Sequence, residues 1–208
     1  MQMTRRLFCY IILSVIKMIL GIEDENFLLA DKIPMTKREV RILTLATARI
    51  EDEKIIVDIG AGTGSLTVEA AKLAPNAKIF AIEKNLDAVN ILNKNLEKFS
   101  VDNVTVINDE ASTALKNIES IDVAIIGGSG GKLEKILDII DEKLVTGGRI
   151  VANFIAIQTL STCLDWLKRH KNFHYDAIQV QINRLQKIGA YDMAKALNPI
   201  YILTAEKL

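Results

Sequence analysis

From residue 54 onward, short apolar runs alternate with stretches whose apolar positions fall three and four residues apart. The runs at 55–59, 78–83, 104–108, 123–126, 149–153, 175–182 and 199–205 predict strands, several of them apolar on consecutive residues, as burial on both faces requires. The helical stretches lie at 65–74, 86–99, 112–117, 132–144 and 158–170. Strands separated by helices of about ten to fifteen residues read as βαβ units. The expected fold is therefore α/β, a doubly wound and mostly parallel sheet with right-handed crossovers that place helices on both faces. No convincing crossover helix separates the last two strands, so they are expected to add a C-terminal antiparallel hairpin.

Ahead of this alternation, Thr36 and Glu39 form a capping box, and Val40, Leu43, Thr47 and Ile50 follow at helical spacing. The first turns carry Lys37, Arg38 and Arg41, the wrong sign for a helix N-terminus. Such cations are either solvated surface or face an anionic ligand. Residues 1–20 read as a separate N-terminal arm or helix. Arg5 and Arg6 followed by an apolar stretch resemble the start of a secretory signal. However, Lys17 interrupts the run, no small-x-small site follows, and the run falls short of the roughly 20 residues that span a bilayer. The other readings are an arm packed on the domain or a neighbouring subunit, or an extension ahead of a true start at Met18. Residues 21–208 are expected to form a single domain.

Composition narrows the partners. Lys plus Arg and Asp plus Glu both number 26 among 208 residues, so no global field draws the chain to nucleic acid or an anionic membrane. A cytoplasmic enzyme is the expected class. Cys9 and Cys163 have no Cys-x-x-Cys spacing, which argues against a disulfide framework or a zinc site, and no metal is expected.

The chemistry concentrates at residues 55–65, where an apolar strand around Asp58 ends in Gly60-Ala61-Gly62-Thr63-Gly64 and a helix begins at Ser65. Glycines at alternate positions let a ligand approach the main chain without meeting a Cβ. The dinucleotide fingerprint is Gly-x-Gly-x-x-Gly; here the third glycine comes one residue early. Asp58 before the turn is awkward beside a pyrophosphate and suited to a cation. S-adenosylmethionine, with a sulfonium, an ammonium and no phosphate, meets that requirement. Glu83 ends the next strand, where a carboxylate accepts from both ribose hydroxyls, and residues 108–111, Asn-Asp-Glu-Ala, end the third. Three successive strand ends on one sheet edge thus carry acids, Glu110 and Ala111 lying where the adenine edge belongs.

With Asp58–Gly64 in the form Asp-x-Gly-x-Gly-x-Gly, the chain resembles the Rossmann-like class I methyltransferases over roughly residues 36–208. Residues 127–131, Gly-Gly-Ser-Gly-Gly, replace the Pro-rich loop common where these enzymes methylate base or amide nitrogen. Their backbone amides ahead of a helix are expected to bind an anion, unless the glycines serve chain reversal alone. Residues 21–27, 34–41, 126–131 and 189–199 together are similar to the decarboxylating cobalt-precorrin C15-methyltransferases of cobalamin biosynthesis. At the third strand end that family usually has Gly-Asp-Ala where this chain has Asp109-Glu110-Ala111, so Glu110 is aligned with the acid and Asp109 stays open.

The resemblance implies methylation of C15 on a cobalt-precorrin tetrapyrrole from S-adenosylmethionine, with loss of the C12 acetate as carbon dioxide. It implies that Thr36 reaches the cofactor with Asp58, Gly60, Ala61, Gly62, Thr63, Gly64, Glu83, Glu110 and Ala111, and it implies a homotetramer. Attack of an electron-rich carbon on a sulfonium methyl neutralises charge and calls mainly for alignment. No catalytic residue is singled out. Because the substrate carries many carboxylates, Lys37, Arg38, Arg41, Arg184 and Lys187 are candidate clamps, with Gly128, Ser129 and Gly130 contributing amides. Residues 183–198 are apolar enough for an interface, a lid or a core role. The competing functions are an RNA methyltransferase and a non-catalytic cofactor-binding partner subunit.

Overall fold

The computed structural model describes residues 20–208, so the calls on residues 1–19, including Cys9, lie outside the described residues. Seven strands form one sheet: β1 (Ile55–Ile59), β2 (Lys78–Ile82), β3 (Val104–Ile107), β4 (Ile121–Ile126), β5 (Leu144–Phe154), β6 (Phe173–Val180) and the terminal β9 (Ile200–Lys207). Their order is β3-β2-β1-β4-β5-β9-β6. β1 to β5 are parallel, whereas β9 runs antiparallel between β5 and β6. The expected terminal hairpin is thus present, with its second strand inserted against the parallel edge.

Side-chain alternation along β1 sorts the core. Val57 and Ile59 face one layer with Ile136, Leu137 and Trp166, while Ile56 faces the other with Val40, Leu45 and Ala70. All three β1 side chains are fully buried, worth roughly 1.5–3 kcal/mol each. Asp58 shares the face of Ile56, beneath the helix that follows the glycine turn. The first layer holds α5 (Leu133–Lys143) and α6 (Ile157–Arg169); the second holds α1 (Arg38–Ala48) and α2 (Ser65–Leu73). Between them in sequence come α3 (Leu86–Lys98) and the single turn α4 (Ala111–Ala114). Cys163, on α6, is buried, and desolvation pushes its thiol up to about 12.

Three local expectations change. α1 begins at Arg38, and neither Thr36 nor Glu39 caps it; instead Asp24, from a 3-10 turn at Asp24–Asn26, accepts the Arg38 N–H at 3.0 Å. A carboxylate brought from outside the helix replaces the capping box and also compensates the basic first turn. β5 starts at Leu144 rather than 149 and carries Gly147 at φ +76°, with a shift of the β4 register between Ile121 and Val123. Residues 183–196 form a two-stranded ribbon, β7 (Asn183–Ile188) and β8 (Tyr191–Ala196), every residue of which is exposed.

Candidate active site

The glycine turn is held by contacts that no side chain could share. Gly60, Gly62 and Gly64 all have positive φ. A Cβ on Gly60 would lie 2.7 Å from the backbone of Gly128, and one on Gly62 would lie 2.9 Å from the Pro34 carbonyl. Three segments therefore meet backbone to backbone: the turn after β1, the glycine loop after β4 and the strap leading into α1.

Two cavities open at this junction, on the C-terminal edge of the parallel strands where open α/β sheets bind ligands. The smaller, of 310 Å³, runs along the ends of β1, β2 and β3 and is lined by Gly60, Gly62, Glu83, Asn85, Asp109, Glu110 and Ala111. The larger, of 580 Å³, is lined by Thr36, Lys37, Ala61, Ser65 and Asn153 together with apolar side chains from β5, β6, β9 and the segments flanking the ribbon. Pro34, Gly60, Gly127, Gly128 and Ser129 border both. A group seated in the smaller cavity thus faces one in the larger across the glycines.

The walls differ in charge. The smaller cavity carries Glu83, Asp109 and Glu110 against Lys32 and Lys84. The larger carries no acidic side chain, and Lys37 is its charged residue. Glu83 is braced on both oxygens, accepting from Gly62 N–H at 3.0 Å and Asn85 N–H at 2.9 Å, which fixes its carboxylate beside the turn. Glu110 bridges Lys84 and Lys132 at 3.4 and 3.1 Å on the rim, and these lysines, Lys132 foremost, hold its carboxyl below the usual range.

Asp58 lies behind the turn, almost wholly buried and off both cavity walls. Oδ2 accepts the Thr67 hydroxyl at 2.6 Å, and Oδ1 has no partner. Desolvation raises its pKa to about 6, partly offset by the Thr67 hydrogen bond and reinforced by the charge of Glu83. Thr63 is likewise buried off the walls, its hydroxyl unpartnered, and Gly64 ends the turn at the head of α2. An orphaned carboxylate oxygen, a second carboxylate close enough to repel it and a cradle too tight for any Cβ fit a cationic, phosphate-free cofactor such as S-adenosylmethionine.

The expected substrate residues separate. Lys37, Gly128 and Ser129 reach the larger cavity, and Gly130 borders the smaller. Arg41 borders neither cavity, which corrects its reading as a clamp. It is completely buried, bonded to Glu69 of α2 at 2.8 Å, Asp24 at 2.7 Å and the Thr36 carbonyl at 2.6 Å, and also to the Ile22 carbonyl. Glu69 in turn accepts from the N–H groups of Gly21 and Ile22. Asn95 of α3 ties Leu28 to the Thr63 carbonyl. Together these side chains staple residues 21–36 over the turn. Arg38 pairs with Glu23, and Arg184 makes a two-oxygen pair with Glu39; neither borders a cavity.

The glycine loop also departs from expectation. The amides of both Gly127 and Gly128 donate to the Ile59 carbonyl, at 2.9 and 3.3 Å, so they are spent on the β1–β4 junction rather than on an anion. Asp24, Glu69, Asn95 and Asn153 had no local motif to announce them. Only the acidic run at 23–25 and the position of Asn153 at a strand end were visible in the sequence.

Residues 28–207 match the family model described as the precorrin methyltransferase domain. The chain is 43% identical over 189 residues to a probable cobalt-precorrin-6B C(15)-methyltransferase (decarboxylating) of Sulfurisphaera tokodaii, covering 90% of this chain and 97% of that one. Among solved structures, a precorrin-6Y C5,15-methyltransferase from Geobacter metallireducens superposes with a TM-score of 0.84 at 38% identity, covering 91% and 97% of the two chains. A protein from Methanobacterium thermoautotrophicum described as a precorrin 8W decarboxylase gives 0.82 at 33% identity, covering 88% and 98%. With its sheet order, its glycine junction and these relatives in agreement, the chain belongs to the precorrin methyltransferase domain family.

Proposed function

We infer that the chain methylates C15 of a cobalt-precorrin with S-adenosylmethionine as donor and removes the C12 acetate as carbon dioxide. The observation that carries this reading is the pair of cavities meeting at Gly60 and Gly128, one bordered by carboxylates and the other free of acidic side chains. S-adenosylmethionine supplies an electrophilic sulfonium methyl. Glu83, held by Gly62 and Asn85, is placed to accept from ribose hydroxyls, and Asp58 with Glu83 sets a negative potential behind the turn. Gly60, Gly62 and Gly64 admit the donor close to the main chain. Ala111 and the residues around Glu110 border the far end, where the base belongs.

The tetrapyrrole occupies the larger cavity, its ring against the apolar ends of β5, β6 and β9 and one of its carboxylates at Lys37. Pro34 and Ser129 stand at the boundary between the two ligands, and Thr36 follows Pro34 on the tetrapyrrole side. Alignment of carbon and methyl with water excluded is the main demand of the transfer, and the closely packed junction meets it. We further read residues 21–208 as one catalytic unit. Leu185, Tyr191 and Met193 on the exposed ribbon are read as the contact that builds a homotetramer. An isolated two-stranded ribbon is marginal in water, so partner burial gives it support.

The test is incubation of the full chain with cobalt-precorrin-6B and methyl-labelled S-adenosylmethionine. Label in the macrocycle with equal release of carbon dioxide is expected; absence of transferred label overturns the assignment.

A further inference from the structure

Loss of the acetate arm makes a demand that methyl transfer does not. The bond between the arm's methylene and its carboxyl carbon breaks, the electron pair enters the methylated ring, and carbon dioxide leaves. The methylene then takes one proton from water and the ring returns one, leaving a methyl group. Negative charge moves off the carboxylate, so a cation held against it stabilises the starting state and opposes the step. A neutral donor orients the group with less of that penalty.

The larger cavity is built for the second option. Its charged wall residue, Lys37, is half exposed at the rim and lies 3.7 Å from Asp24. Among its neutral polar side chains, Asn153 at the end of β5 is the one bonded to a buried side chain of another element. Its Nδ2 lies 3.0 Å from the hydroxyl of Thr44, a completely buried residue of α1. That hydroxyl donates to the Val40 carbonyl at 2.7 Å, so its proton is spent and it serves Asn153 as acceptor. The amide is thereby held edge-on to that hydroxyl, with Oδ1 also 3.2 Å from it, and one N–H is left over for a ligand. Around it the wall is apolar, with Phe154, Val180, Ile182 and Ile200.

We propose that Asn153 receives the carboxylate of the acetate that is lost, and that Thr44 is the positioning residue that aims it. The inference rests on the tetrapyrrole reading above and adds which side chain handles the second half of the reaction. It is tested with the full chain, cobalt-precorrin-6B and methyl-labelled S-adenosylmethionine, reading carbon dioxide released per methyl transferred. Asn153→Leu is close in size and removes the N–H that would hold the carboxylate. It is expected to lower that ratio about tenfold while cofactor affinity, read by calorimetry, stays unchanged. Thr44→Val, which frees the amide, is expected to lower the ratio severalfold, and Thr44→Ser to restore it. A merely structural defect reduces both products together. Equal yields of carbon dioxide and transferred methyl in Asn153→Leu and Thr44→Val overturn the proposal. Failure of the unaltered chain to transfer methyl overturns the function it rests on instead.

Discussion

The two cavities share a border of glycines and differ in almost everything else. The smaller is made of consecutive strand ends, β1, β2 and β3, each followed by a short polar segment, and its wall carries three carboxylates. The larger is made of segments far apart in sequence, from the strap at 34–37 to Ile200, and has none. For a reaction between a cationic donor and a polyanionic acceptor, that division sorts the ligands before any specific contact is made. Coulomb attraction and repulsion at a few ångströms in a partly desolvated site amount to several kcal/mol, so each ligand is disfavoured in the other's place.

The largest expected effect breaks both cavities together. Arg41→Met leaves Glu69 buried without its partner and unties the Thr36 carbonyl, so the strap that borders both cavities loosens. A loss of about 3–5 kcal/mol in urea unfolding is expected, with cofactor and tetrapyrrole binding weakened in parallel. Loss of only tetrapyrrole binding would return Arg41 to the role of clamp.

Glu83→Ala sharpens the contrast, because the residue borders only the donor side. It removes the proposed ribose acceptor and leaves the Gly62 N–H without its partner, which is expected to raise the cofactor Kd by roughly thirtyfold to a hundredfold. The KM for the tetrapyrrole should hold. Calorimetry and steady-state kinetics separate the two.

Asp58 gives the contrast a pH signature. Its folded pKa, about 6, lies above the ordinary value of 3.8, so burial stabilises the neutral carboxyl. That stabilisation is full below pH 4 and is lost as pH rises through 6, because the unfolded chain ionises first. Asp58→Asn should therefore match the parent near pH 4 and gain on it by about 2 kcal/mol by pH 7 in denaturant titrations. Cofactor affinity, by contrast, should increase through pH 6 in the parent and lose that dependence in the variant.

The smallest effect belongs to the rim. Lys84→Ala removes one exposed ion pair of Glu110, and less than about a threefold change in cofactor Kd is expected, shrinking further with added salt. A larger change would place Lys84 in contact with the ligand.

How far each half could be read beforehand follows from its construction. Asp58, Gly60, Gly62, Gly64 and Glu83 lie on neighbouring strand ends, and the alternation of strand and helix already ranks those ends along one edge. The Arg41 clamp failed as a reading because a basic residue in a helical first turn looks the same whether it faces solvent or two carboxylates. Only the return of residues 21–24 across α1 distinguishes them. The same holds for the amides of Gly127 and Gly128, free by sequence and taken by Ile59 in the fold. Residues 183–198 read equally as interface, lid or core, and the ribbon's full exposure at 183–196 removes the core reading.

By itself the sequence determined the parallel sheet, the sulfonium-suited turn and, through resemblance, the family. These rest on local spacing: period-two and period-3.6 burial, and glycines that a single tight turn requires. Tertiary structure alone decided which cations border a cavity and which are staples, which amides are taken, and that Asn153 meets Thr44 across 109 positions of chain. Such pairings depend on which buried polar group finds which partner, and long-range burial leaves no periodic mark in sequence.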